Sequence, residues 1–147
     1  MLAFDPQGNA YPCLRYMASS LGTERKPIII GNVNGIYNTP ETKAIYEDMK
    51  AVTRQSQSEQ QCLDCPIAAG CAWCSAANYV LTGSYNKRPT TICWMHRAVS
   101  LANVYYWNWY YRIHNMNKHK PIYLPRDIAT KIISDKEYDK LLQLALY

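Results

Sequence analysis

A chain of 147 residues is a single-domain length, large enough for one core and too short for most large catalytic folds. Hydrophobic residues make up 48% and charged residues 18%, and the 12% aromatic share comes almost wholly from 13 Tyr and 4 Trp, which excludes a disordered or low-complexity chain. The net charge of +5 divides into six basic and six acidic side chains over residues 1–61, three and one over 62–100, and seven and four over 101–147; with no run of like charge, a nucleic-acid face is not expected.

Residues 1–13 read as a hairpin. Leu2, Ala3 and Phe4 precede Asp5-Pro6-Gln7-Gly8, with Asp, Pro and Gly at turn positions one, two and four, and the return strand runs through Ala10 and Tyr11 into Cys13. Residues 27–33 form a β-branched run interrupted by Gly31, read as a third strand with a bend, so a small antiparallel sheet is expected. Thr39-Pro40-Glu41 starts a helix whose Ile45, Met49 and Val52 share a face. Residues 54–61 are polar and read as a loop or a frayed helix end. A short helix is expected from Cys71 to Leu81, stopped by Gly83, and a long one from near Cys93, where Met95, Ala98, Ala102, Tyr105, Trp109 and Ile113 step by three or four. The tail holds a capping box, Ser134 to Glu137, followed by Tyr138, Leu141, Leu142 and Ala145 on one stripe. The fold class is therefore α+β: a small hairpin sheet followed by several helices.

No apolar stretch approaches the roughly 18 residues of a membrane span, and the opening MLAFDPQGNAYPC lacks the basic leader and apolar core of a signal peptide. A reducing cytoplasm is the expected compartment, and no membrane partner is expected. One domain of this length does not need its six cysteines as staples, so in that compartment their clustering argues for metal or redox work. Cys62 and Cys65 are spaced x2, Cys71 follows after x5, Cys74 after x2 and Cys93 after 18 more residues, with Cys13 far upstream. An x2 turn presents two sulfurs to one metal while leaving backbone amides free to donate to thiolate; Pro66 and Gly70 suit the bends of the x5 loop. Cys71 and Cys93 each fall near an expected helix N-terminus, where the dipole favours an anionic ligand.

These residues resemble the SPASM domain, the C-terminal extension of radical S-adenosylmethionine peptide maturases that carries auxiliary iron-sulfur clusters. That family shows an early Cys, a G-x4-C, a C-x2-C-x5-C-x3-C and a late Cys. This chain shows DPQGNAYPC from Asp5 to Cys13, IGNV from Ile30 to Val33, CLDCPIAAGC from Cys62 to Cys71, then Cys74 and Cys93. The match covers roughly residues 4–105, which would make 1–105 a cluster-binding domain and 106–147 a helical C-terminal extension. The resemblance implies one 4Fe-4S cluster on Cys62, Cys65, Cys71 and Cys93, used for electron transfer and substrate docking.

The second cluster of that family would use Cys13 and Cys74, and here the pattern departs. Ile36 stands where the family has a cysteine, Ser19 is six after Cys13, and Cys74 follows after x2 instead of x3. Two thiols leave open three readings: a second cluster with an open position or unusual ligands, a bound substrate thiol, or no second cluster, the last being favoured. His96 is weighed as a stand-in ligand and set below an ordinary helical His; His114 and His119 rank lower still. Asp64, Trp73 and Arg97 adjoin the ligands, with plain spacers the preferred reading. The C-x3-C-x2-C loop that binds S-adenosylmethionine and its barrel are not in this sequence, so that cofactor is expected only in a missing catalytic domain. The implied partners are such a barrel domain and a precursor peptide. The alternative is a structural zinc module mediating protein interaction, although the pairs Cys62/Cys65 and Cys71/Cys74 are closer together than in usual zinc ribbons.

Overall fold

A computed structural model describes residues 2–71, 74–116, 118 and 122–145, with the side chains of 144 and 145 left out. Strands β1 (Ala3–Phe4), β2 (Asn9–Tyr11), β3 (Gly31–Asn32) and β4 (Gly35–Ile36) form one antiparallel sheet in sequence order. Helices are α1 (Ala18–Leu21), α2 (Pro40–Lys50), α3 (Gln60–Leu63), α4 (Ser75–Thr82), α5 (Cys93–Ile113), α6 (Arg126–Ala129) and α7 (Asp135–Ala145). The α+β class expected from sequence is the class observed. Among the described residues no helix is long and apolar enough to cross a membrane.

The chain makes two compact units. One takes Met1–Leu63 and Trp73–Pro89, the other Asp64–Ala72 and Thr90–Tyr147. Helix α5 runs without interruption through residue 105, where the sequence suggests a boundary.

In the first unit the opening hairpin closes on Asp5. The Gly8 amide donates to the Asp5 carbonyl at 3.0 Å, and Gly8 sits at φ +83. The Asp5 carboxylate accepts from the Gln7 and Asn9 amides, the Asn9 side chain and the Tyr11 hydroxyl, the last at 2.6 Å. Four donors on one carboxylate favour its charged form, and the Tyr11 hydroxyl, followed by Asn9, holds Asp5 below its ordinary pKa. The expected third strand is shorter than residues 27–33 and has a partner not expected from sequence, β4. Asn32 accepts from the Asn34 amide at 2.9 Å, turning the chain. Gly31, at φ +144, lets the returning strand come close: a Cβ there would lie 2.3 Å from the Gly35 carbonyl oxygen and 2.7 Å from the Ile36 Cα.

Helix α2 starts as expected, with Thr39 and Thr42 capping each other's amides reciprocally and Pro40 in the first turn. Its Ile45 and Met49 are half-buried, and Met49 packs on the unit's core. Residues 54–61 are more than a solvated loop. Gln57 is buried, its side chain accepts from Asn78 at 2.7 Å, and its carbonyl accepts from the Arg88 amide at 2.8 Å.

The second unit is built on α5. Leu101, Val104 and Asn108 form its buried stripe, and Leu101 and Val104 join Ile67, Leu124, Ile128, Ala129 and Tyr138 in one apolar cluster. Asn108, fully buried, makes two hydrogen bonds to the backbone of Ile122 and so fastens the following segment to the helix. The capping box of α7 forms between Ser134 and Glu137. Tyr138 is buried and donates to the Leu124 carbonyl, while Leu141 and Leu142 are half-buried against the cluster; the side chain of Ala145 lies outside the described residues.

Gly31→Ala should destabilise the first unit by roughly 2–4 kcal/mol, whereas Gly70→Ala, whose added Cβ meets nothing within 4 Å, should be nearly neutral; chemical unfolding of both variants checks this. Because the folded pKa of Asp5 is lowered, its contribution is present above the unfolded value of 3.8 and is lost as pH falls through the folded value. Asp5→Asn should therefore be less stable than wild type at neutral pH, with the difference shrinking in acid, as read from unfolding midpoints against pH.

Candidate metal centre

None of the six cysteines is in a disulfide, and each is of intermediate exposure. Their local settings differ. Cys62 lies in α3 and donates its amide to the Glu59 carbonyl at 2.9 Å. Cys65 and Cys71 bracket a tight turn: the Ala68 amide donates to the Cys65 carbonyl at 2.9 Å, Ala68–Gly70 is a 3-10 turn, and the Cys71 amide donates back to Ala68 at 3.3 Å. Buried Ile67 pins this loop into the second unit's core, and Cys65 packs against the same cluster. Cys93 is the first residue of α5, its amide held by the Thr90 carbonyl at 3.1 Å. Three of the four expected ligands, Cys65, Cys71 and Cys93, thus belong to the second unit, and Cys62 lies at the end of the first unit's opening stretch, three residues before Cys65.

One expectation about helix ends is corrected. Cys71 does not open a helix; it ends the 3-10 turn in an extended conformation, because Pro66 and Gly70 favour a compact turn there. Helix α4 starts later, and Cys74 is its N-cap, with its carbonyl accepting from the Asn78 amide at 3.0 Å.

Cys13 and Cys74, the expected second pair, both pack against the first unit's core of Tyr11, Tyr16 and Ala76. Cys13 precedes the 3-10 turn Leu14–Tyr16, and the Tyr16 hydroxyl donates to the Ser75 hydroxyl at 2.9 Å. Burial is the main reason that the Tyr16 pKa is pushed up to about 12; Ser75 opposes the shift, and the nearby Cys13 and Cys74 thiols add to it. Tyr16 and Ser75 were not singled out by sequence, since a Tyr beside a Met and a Ser beside an Ala carry no spacing signal.

The structure does not draw these thiols into a finished site. Among the described residues, no three His, Cys, Asp or Glu side chains group closely enough to hold a metal ion. The donor chemistry fits a four-thiolate centre, but the described geometry does not gather the donors. His96 is half-buried, and its Nε2 has no hydrogen-bond partner; the Arg97 Nε, likewise buried, has none. His114 is exposed and lies 4.3 Å from the Tyr110 ring, while Trp73 and His119 fall outside the described residues. Comparison with protein-family models, with curated proteins and with solved structures gives no match for this chain.

Six half-exposed thiols should all react with a soluble thiol reagent in the folded, reduced protein without denaturant. A titration in which some thiols react only after unfolding would contradict this arrangement.

Proposed function

We propose that the chain is an auxiliary iron-sulfur domain of the SPASM type, holding one 4Fe-4S cluster on Cys62, Cys65, Cys71 and Cys93. On this reading it serves electron transfer and substrate docking in the radical maturation of a ribosomally made peptide. The catalytic barrel and its S-adenosylmethionine are supplied by another domain or chain, in a reducing cytoplasm. The observation that carries the reading is the spacing of four thiols outside any disulfide, C-x2-C-x5-C with a late Cys, of which the first three frame one short loop.

The local structure supports the roles of these residues. The Cys65–Cys71 turn is anchored by Ile67 and braced by its own backbone hydrogen bonds, so two ligands start from a defined backbone. Cys93 starts a 21-residue helix, which gives the late ligand a rigid base. Bound by four protein thiolates, such a cluster supplies one-electron transfer.

Cys13 and Cys74 flank Tyr16 on the first unit's core and are assigned no second cluster. Anaerobic reconstitution should therefore give about four irons and four sulfides per chain, with a paramagnetic signal after reduction. Cys65→Ala should abolish that signal, and Cys74→Ala should leave it. Stoichiometric zinc with no cluster would instead establish the zinc module, and close to eight irons would establish a second cluster.

A further inference from the structure

The proposed cluster leaves Cys13 and Cys74 without a role, and the fold gives these two thiols shared surroundings. Both belong to the first unit, whereas Cys65, Cys71 and Cys93 belong to the second. Each stands at the N-cap of an element: Cys13 before the 3-10 turn Leu14–Tyr16, Cys74 before α4. Those two elements touch, and the Tyr16 hydroxyl ties them by donating to the Ser75 hydroxyl at 2.9 Å across 59 positions of sequence. Both cysteine side chains pack against the same buried cluster of Tyr11, Tyr16 and Ala76.

We propose that Cys13 and Cys74 are a thiol–disulfide exchange pair, a modification site at which a low-molecular-weight disulfide acts as the oxidant. Both thiols are outside any disulfide and of intermediate exposure, so a small reagent reaches them beside a buried core. Neither sulfur caps the element that follows it, which leaves both side chains uncommitted at their caps. The Tyr16 hydroxyl reports on both: burial is what chiefly pushes its pKa up, Ser75 opposes the shift, and the Cys13 and Cys74 thiols each add to it.

The exchange runs in two steps. The thiolate of one cysteine attacks a sulfur of the small disulfide, forming a mixed disulfide and expelling one small thiolate. The thiolate of the other cysteine then attacks the first cysteine's sulfur, closing the Cys13–Cys74 bond and expelling the second small thiolate. The pair loses two electrons and two protons, and one small disulfide becomes two thiols. In a reducing compartment such a bond is transient, a modification instead of a permanent staple. It would join the end of the opening hairpin to the start of α4, and a link that closes a long loop constrains the unfolded chain. None of the four proposed cluster ligands takes part.

The test uses the full chain, reduced and anaerobic, then equilibrated with mixtures of reduced and oxidised glutathione. Quenched in acid and digested without reduction, the oxidised protein should yield a peptide pair joining Cys13 to Cys74, with two of the six thiols lost. A disulfide demands Cα atoms within about 7 Å, so mapping the wild-type link is a stringent check that needs no variant. Cys13→Ser should leave Cys74 as a mixed disulfide with glutathione, and Cys74→Ser should do the same to Cys13. The oxidised wild type should unfold in guanidinium at a higher midpoint than the reduced protein, and dithiothreitol should return it. The same link should form in protein reconstituted with iron and sulfide, with its paramagnetic signal kept. Failure of the cluster reading would show as a missing signal in that arm while the link still forms in the apo protein. Cys13 and Cys74 recovered only with glutathione or other cysteines attached, or still as thiols once two thiols are lost, would overturn the proposal.

Discussion

Tyr11, Tyr16 and Ala76 form one buried cluster of the first unit, where Ala10, Leu21 and Ile30 are buried as well, and seven half-buried side chains pack around that cluster, two of them Cys13 and Cys74. The second unit is closed by seven buried residues gathered on α5, α6, α7, the Cys65–Cys71 loop and, through Leu124, the segment before α6. Cores of this size limit everything else in the molecule. The units contain 80 and 67 residues, and below about 70–80 residues one core rarely supplies more than ~3–5 kcal/mol once chain entropy is opposed. A single domain of 147 residues would not need staples; two units of half that length are where disulfides or metals ordinarily contribute. None of the six cysteines is in a disulfide.

The places where the chain leaves one unit for the other give this limit a location. Passages fall at Leu63/Asp64, Ala72/Trp73 and Pro89/Thr90, each within three residues of a cysteine. In the proposed reading, ligation at Cys62, Cys65, Cys71 and Cys93 would add binding free energy to folding free energy. Each unit also holds polar devices that stabilise without apolar area, such as Gln57 against Asn78, Asn108 against the Ile122 backbone, and four donors on the Asp5 carboxylate. In a small core, a satisfied buried polar pair fixes a loop that side-chain packing alone would leave loose.

Local chemistry made much of the fold legible in the sequence. Asp5 to Gly8 marked the first turn, Thr39 and Pro40 the start of α2, Gly83 the end of α4, and Ser134 with Glu137 the start of α7, because caps and turns are decided by residues within four positions of each other. Strand β4 was not legible: two residues, one a glycine, have no alternation to read, and their pairing depends on the absent side chain of Gly31. The burial of Gln57 was hidden because its partner lies 21 residues away. The division into two units was hidden for a similar reason, since each is assembled from non-contiguous stretches, while periodicity reports only on neighbours. At the candidate centre, spacing singled out the cysteines and the Cys93 helix start but put the other helix start at Cys71 instead of Cys74, where α4 is capped. Spacing states which thiols a short loop can offer; it does not state whether they converge.

Whether the cysteines act as ligands that reinforce two small cores is tested most directly by equilibrium unfolding in guanidinium. Anaerobic protein would be compared before and after reconstitution with iron and sulfide, with helicity as the readout. The account predicts that the reconstituted protein unfolds at a clearly higher midpoint and that a chelator returns it to the apo value. Superimposable curves in the presence of bound cluster would contradict it, since the thiols would then hold their cargo without supporting the fold.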